Sequence, residues 1–420
     1  MERGGGRAGE GLGAAFDVGS TTIVASLVEL ATGRVEATQS RPNPQRRWGA
    51  DILARVEAAS RPGVLAAMQE SVVGACNELL GRMAGGEAVT ELTAAGNTVM
   101  EHLLLGVSPA GLARLPYRPA FREARLVEAR DIGLEAAPGA LLYTFPIIGG
   151  FVGGDAVAVL TALGLGEGTE TALVLDIGTN SEIMLACRGE LFAASAAAGP
   201  AFEAGGISCG MTAAPGAIED VVVEGDRLRL RTVADVTPRG ICGSGLVAAA
   251  AALVDAGVIE ASGRIRDADE VGSNLSSRIR SGEDGNSFVL FRGAGGEVSL
   301  TQGDIRSLQV AKAAIRAGVE VLLRRAGVDA DAVGTVHVAG AFGSRLRPDA
   351  LAEIGLIGRA WTGRVNLAGD AALEGAVKAL VSREARTRAE RAAAAAHYVS
   401  LSGSAPFERE FIKHMDLCSG

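Results

Sequence analysis

Two stretches of the chain share one order of apolar and polar positions. In the first, an apolar run reaches Phe16 and Asp17, then passes through Val18 and Gly19 to three hydroxyl residues, Ser20, Thr21 and Thr22, before IVASLVEL. The second lies 159 residues later: LVLD ends in Asp176 and continues through Ile177, Gly178, Thr179, Asn180 and Ser181 into IMLACRGELFA. With TGR and RGE as following turns, each copy predicts strand, tight polar turn, strand, turn, strand. A duplication on this scale points to two domains built on one plan.

Helical spacing dominates elsewhere. A long helix is predicted from about Gln302 to near Gly327, capped by Thr301, with Ile305, Leu308, Ile315, Val319 and Leu322 on one face. EGAVKALVSREARTRAERAAAAAHYV reads as mostly one Ala-rich helix. GLGEGTETA, residues 163–171, marks a soft boundary, and 261–298 is irregular around the short strand SFVLF. The first 13 residues hold six glycines and read as a mobile tail.

The repeated turn carries candidate chemistry. Glycine lets a backbone approach a ligand closely, and successive N–H groups with hydroxyl side chains form a concavity that suits phosphate oxygens. An aspartate at the strand end can hold a divalent cation, usually through water. A single copy is equally an ordinary turn, with Asp17 or Asp176 as its cap. Two copies favour a clamp that grips a phosphate chain from both sides. A nucleoside site is then expected late in the chain, and TVHVAGAFGSRL supplies one at Gly340, Ala341, Phe342 and Gly343; a plain tight turn is the alternative. Gly243, Ser244 and Gly245 open an apolar helix whose N-terminus suits an anion or a ribose, although close helix packing explains the glycines as well.

Composition narrows the function classes. Hydrophobic residues make up 48% of 420, and charged residues 21%, enough for large cores in two or three domains. A net charge of −9 with 4% aromatics argues against a nucleic-acid surface. No apolar run is long enough for a membrane span, and the N-terminal residues lack the apolar middle of a signal peptide, so the cytoplasm is expected. The five cysteines include no C-x-x-C pair, and the four histidines are dispersed, so neither an iron–sulfur cluster nor a zinc site is expected in this chain.

Five segments in order resemble the superfamily of acetate and sugar kinases, heat-shock chaperone ATPases and actin. FDVGSTT is similar to its first phosphate loop, GGFVGGDAVAVLTALG at 149–164 to its first connecting helix, LDIGTNSE to its second phosphate loop, VAGAFG to its adenosine motif, and AGDAALEGAVKAL at 368–380 to its second connecting helix. The resemblance implies an α/β fold of two ribonuclease-H-like, actin-like ATPase domains flanking a nucleotide cleft. It places a flexible tail at 1–13 and a first domain at 14–168, completed by a C-terminal helix at about 368–398. The second domain, with the adenosine motif, covers 169–367, and 399–420 is an extension. It also implies ATP and Mg²⁺ as ligands, with Asp17 and Asp176 as the Mg²⁺-linked carboxylates. Asp155, on the first connecting helix, would orient the attacking water; a helix N-cap is its alternative role.

Finer wording, in AGNTVMEHLLLG, SAAAGPAFEAGGISCGM, GICGSGLVAA and TQGDIRSLQVAKAAIRAG, resembles the ATP-binding portion of reductive activators of corrinoid-dependent methyltransfer proteins. Members of that family use ATP to return cob(II)alamin to cob(I)alamin, a couple too low in potential for an ordinary donor. The resemblance implies a corrinoid protein as partner, and a homodimer is compatible with it. The plant-type [2Fe–2S] spacing common in such activators is absent here, so either the chain is a shortened one or a separate low-potential electron donor is expected. Asp370 stands where the family more often has asparagine. Lys312 resembles a nucleoside-contacting lysine, with a solvated helix face as the alternative. His102 and His337 read as structural, Asn97 as a turn residue, and Cys209 as a buried structural thiol. A small-molecule kinase and a nucleotide-gated scaffold ATPase are the two other function classes this scaffold allows.

Overall fold

The computed structural model describes residues 11–49, 51–293, 296–340 and 346–417. Along the first part run β1 (Leu12–Val18), β2 (Thr22–Glu29), β3 (Arg34–Pro42), α1 (Ile52–Ala59), α2 (Val64–Ala84), β4 (Val89–Gly96), α3 (Thr98–Leu104), β5 (Arg125–Glu128), β6 (Leu141–Thr144) and α4 (Gly154–Leu163). The second part begins with β7 (Ala172–Asp176), β8 (Ser181–Cys187), β9 (Glu190–Ala196), β10 (Ala217–Glu224), β11 (Arg227–Thr232), β12 (Gly240–Ile241) and α5 (Gly243–Asp255). It continues through β13 (Ile279–Arg280), β14 (Ser287–Gly293), β15 (Gly296–Thr301), α6 (Gln302–Ala326), β16 (Thr335–Ala339), α7 (Pro348–Glu353) and β17 (Val365–Gly369). Last come α8 (Ala371–Val381), α9 (Arg383–Ala395), β18 (His397–Tyr398) and α10 (Ala405–Lys413).

Contacts divide the chain into two compact units. One comprises Met1–Glu170, Ala186–Ala193 and Asp370–Val399, the other Thr171–Leu185, Ala194–Gly369 and Ser400–Gly420. The sheet of the first unit runs β3-β2-β1-β4-β6-β5, with β1 antiparallel to β2 and parallel to β4. The sheet begun by the second repeat runs β17-β16-β7-β8-β9-β18, with β7 parallel to β16 and β16 parallel to β17. Both start from a three-strand meander whose first strand gains a parallel neighbour, so the duplicated sequence folds as a duplicated α/β topology.

Burial follows position in the sheet. All seven residues of β8 are buried, as expected of an interior strand covered on both faces. β3 lies at an edge and leaves Arg34, Val35 and Glu36 exposed, and the two charged residues, Arg34 and Glu36, discourage pairing with another chain. The first core packs Phe16, Ile23 and Leu92 against Met68, Leu79 and Met100.

Helix ends match their chemistry. α6 spans Gln302–Ala326, with Thr301 and Asp304 forming a capping box, and Ile305, Leu308, Ile315, Val319 and Leu322 are buried. The Ala-rich stretch differs from expectation, being two helices rather than one. Ser382 takes extended backbone angles, and its hydroxyl accepts from Ala385 N as the N-cap of α9, which breaks the run. Among the described residues no helix is long and apolar enough to cross a membrane.

α4 and α8 cross at Gly375, where a β-carbon would overlap the carbonyl oxygen of Ala158. Gly375→Ala is expected to lower unfolding free energy by about 3 kcal/mol, since backbone must shift to admit the methyl; an unchanged denaturation midpoint would contradict this packing.

Candidate functional site

The first phosphate-loop candidate joins β1 to β2. Asp17 is half-buried within β1, opposite Val24 of β2 and Ala95 of β4, while Gly19, Ser20 and Thr21 form the turn and Thr22 opens β2. A β-carbon on Gly19 would lie 2.6 Å from the carbonyl oxygen of Thr22. The turn is braced from one side. Asn43 Nδ2 donates to the Gly19 carbonyl at 2.8 Å, Arg55 Nη2 to that of Ser20 at 2.7 Å, and Asn43 N to that of Thr21 at 2.9 Å. In a trans peptide the N–H points opposite the C=O, so pinning the Gly19 and Ser20 carbonyls turns the amides of Ser20 and Thr21 toward the opposite face.

Sequence reading passed over Arg55. Its guanidinium is fully buried, donates also to Gly49 O at 3.0 Å, and forms no ion pair among the described residues. Burial, with Arg46 adding to it, lowers its pKa to about 10, so it stays charged behind the loop at neutral pH.

The second group of residues gathers where α4 begins. Gly153 is the N-cap and Asp155 stands one residue inside the helix, which removes the N-cap role for the aspartate. Asp155 Oδ1 accepts from Ala156 N at 2.8 Å, and burial nevertheless raises its pKa to about 6. Beneath lies α3, capped by Asn97, whose Oδ1 accepts from Val99 N and Met100 N, each at 3.0 Å. A β-carbon on Gly153 would overlap Thr98 N, and one on Gly154 would overlap Oε1 of Glu101. His102 is structural: Nδ1 lies 2.6 Å from Thr98 O, and Nε2 accepts from Ala120 N at 2.9 Å, so the proton resides on Nδ1.

The second loop joins β7 to β8. Asp176 ends β7, and Gly178, Thr179 and Asn180 are half-buried in the turn. Ser181 Oγ donates to Gly178 O at 3.1 Å, and Gly199 N to Thr179 O at 2.9 Å. Thr179 N donates to Glu203 Oε1 at 3.0 Å and Thr179 Oγ1 to Glu203 Oε2 at 3.1 Å. A carboxylate thus rests on the donors that suit phosphate oxygens. Gly340 follows β16 beside Asp176, at φ 101°, with no room for a β-carbon against the carbonyl of Ile177. Ala341, Phe342 and Gly343 lie outside the described residues.

Other candidates resolve individually. Gly243, Ser244 and Gly245 form the buried first turn of α5, and a β-carbon on Gly245 would overlap Ile218 O, so packing accounts for that glycine. Lys312 is fully buried, which excludes a solvated face, and its Nζ donates to Asp416 O in the C-terminal segment. Cys209 is half-exposed, with Sγ 4.0 Å from Glu297 O, and is not a buried thiol, because it sits in a turn between exposed Ser208 and Gly210. His337 is half-buried, with Nδ1 3.0 Å from Asn366 Nδ2, and Asp370 caps α8 by accepting from Leu373 N at 3.1 Å. No group of three or more His, Cys, Asp or Glu among the described residues could hold a metal by itself, whereas Mg²⁺ needs only one or two carboxylates beside phosphates and water.

Two family models match the chain in succession: the RACo middle region over residues 12–168, and the C-terminal domain of RACo, the ASKHA domain, over 170–419. The chain belongs to the RACo family. A curated relative, the corrinoid activation enzyme RamQ of Eubacterium limosum, is 31% identical over 385 residues, covering 89% of this chain and 64% of the relative. The [Co(II) methylated amine-specific corrinoid protein] reductase of Methanosarcina barkeri is 26% identical over 366 residues, covering 79% and 63%. A solved structure of a reductive activator for corrinoid,iron-sulfur protein matches with a TM-score of 0.89 and 35% identity, over 97% of this chain and 66% of that one. The chain spans just under two thirds of the length of these relatives.

Arg55→Met removes the donors to Ser20 O and Gly49 O and should lower unfolding free energy by about 1–3 kcal/mol, with a matching fall in denaturant midpoint. Burial holds the His102 pKa below its usual 6.5, so its share of stability is present above that value and is lost as pH falls through the folded pKa. Imidazole NMR at neutral pH should find His102 unprotonated on Nε2 and protonated on Nδ1, as the donation from Ala120 N requires; an imidazolium signal there would contradict the two hydrogen bonds.

Proposed function

We propose that the chain binds ATP with Mg²⁺, hydrolyses it, and uses it to drive the return of a corrinoid protein from cob(II)alamin to cob(I)alamin. The likeness to a reductive activator along nearly the whole chain carries this reading. The named relatives supply the corrinoid chemistry, and the paired loops supply the nucleotide chemistry.

In this reading Ser20, Thr21, Thr22, Thr179 and Asn180 donate to phosphate oxygens, with Gly19 and Gly178 allowing their approach. The segment Gly340, Ala341, Phe342 and Gly343 takes the nucleoside, and the α5 N-terminus at Gly243, Ser244 and Gly245 favours negative charge nearby. Lys312 is left out, because its ammonium is engaged with Asp416. Asp17 and Asp176 are hard oxygen donors that would hold Mg²⁺ through water, and the bound ion supplies charge that offsets the phosphates. Asp155 orients water and accepts its proton as the water oxygen bonds to the γ-phosphorus and the bond to the β-phosphate oxygen breaks. With a pKa of about 6, Asp155 is mostly ionised at neutral pH yet more basic than an exposed carboxylate, as a general base requires. The electron that reduces cobalt comes from a separate low-potential donor.

The test is the visible spectrum of a cob(II)alamin protein mixed with this chain, Mg²⁺ and a low-potential reductant. Loss of the cob(II) band is expected only with ATP, and Asp176→Ala should abolish the effect while leaving the melting curve in place. Identical spectra with and without ATP would count against the function. Full activity of the Asp176→Ala protein would count against the second loop.

A further inference from the structure

Glu101 is a costly side chain for the first unit to bury. It is 1% exposed, in the middle of α3, and among the described residues neither carboxyl oxygen has a hydrogen-bond partner. No cation is paired with it among the described residues, and the ionisable groups that face it are Asp155 from α4 and Tyr143 from β6. Tyr143 is directed to the carboxylate of Glu390. Burying a carboxyl in this way contributes nothing to folding. An ionised carboxylate here would be opposed by both desolvation and Asp155, and those two causes, burial first, push its pKa well above the usual range.

The packing has a direction. Gly154 has no side chain, so Oε1 of Glu101 fills the space that a β-carbon would take, one residue before Asp155. The same backbone approach encloses the Glu101 carboxyl between Gly154 and the buried Phe145, with Asp155 half-buried on the next residue of α4. Two acids in such a place settle into one neutral and one charged member, and the more deeply enclosed one keeps the proton.

We propose that Glu101 is a positioning residue for Asp155, a neutral carboxylic acid buried behind it whose O–H is offered to the Asp155 carboxylate. This rests on the assignment of Asp155 as the water-orienting base. Glu101 touches neither nucleotide nor water; it fixes the orientation of the base and keeps a second negative charge away from the γ-phosphate. An amide can replace it, since glutamine offers N–H in the same place. A thioether of similar volume cannot.

The experiment compares Glu101→Gln and Glu101→Met with the wild-type chain. Because the folded pKa of Glu101 lies above its unfolded value of 4.5, the wild type loses stability as pH rises above that value, and Glu101→Gln does not. Glu101→Gln should therefore melt higher than wild type at pH 8, with the difference closing as pH falls toward the carboxylate range. In ATP hydrolysis Glu101→Gln should keep the wild-type pH profile. Glu101→Met should fold, keep KM, and lose kcat on the order of tenfold to a hundredfold, as expected when a catalytic group is mis-set. A Glu101→Gln protein less stable than wild type at pH 8, or one whose acid limb moves down by about one unit or more, would overturn the neutral acid. Equal rates for the Met and Gln variants would overturn the positioning role. A wild-type chain that hydrolyses no ATP would overturn that role together with the assignment of Asp155, while the melting comparison would still judge the protonation state of Glu101.

Discussion

At the start of α4 two successive residues have no side chains, and the geometry of the first unit's site follows from that gap. Gly153 and Gly154 let the helix backbone rest on Asn97, Thr98 and Glu101 at distances no β-carbon would permit. The approach sets Asp155 in the first turn and brings it partly out of water. It also encloses Glu101 on α3. Desolvation then acts on both carboxyls in the same direction, so the backbone contact is the origin of the electrostatics as well as of the shape.

Supports of a different kind hold the two loops. In the first, backbone carbonyls are fixed by Asn43 and by the buried guanidinium of Arg55, and the amides are turned outward as a consequence. In the second, Ser181 and Gly199 hold the turn, while a carboxylate from Glu203 lies on the amide and hydroxyl of Thr179. An anion arriving at the first loop meets oriented N–H groups with a positive charge behind them. At the second it meets donors that already serve an anion. One local sequence pattern therefore gives two turns with different electrostatic surroundings.

Much of the architecture was legible in the order of residues. The apolar runs into Asp17 and Asp176 marked β1 and β7, which end at Val18 and Asp176, the Thr301-to-Gly327 spacing delimited α6, and the duplication foretold two sheets of like topology. Thr301 caps its helix as expected, while Asn97, read as a turn residue, is the N-cap of α3. The broken helix at Ser382 was missed because alanine periodicity outweighs one serine until its hydroxyl is seen accepting from Ala385 N. Glu101 stood in VMEHLLLG as an acid within an apolar helix, a signal that could have been followed. Arg55 gave no comparable sign among the charged residues of its region.

Strand ends, helix caps and turns depend on neighbours within a few residues, so the sequence by itself determined them, together with the repeat that places the chain on a two-unit α/β plan. The state of each charged group was decided only by tertiary structure. Desolvation depends on which distant backbone covers a side chain, and here Gly154 covers Glu101, the segment at 413–417 covers Lys312, and the first loop covers Arg55. Those pairings span from 35 to more than 100 residues of chain, a separation at which no local pattern carries information about burial.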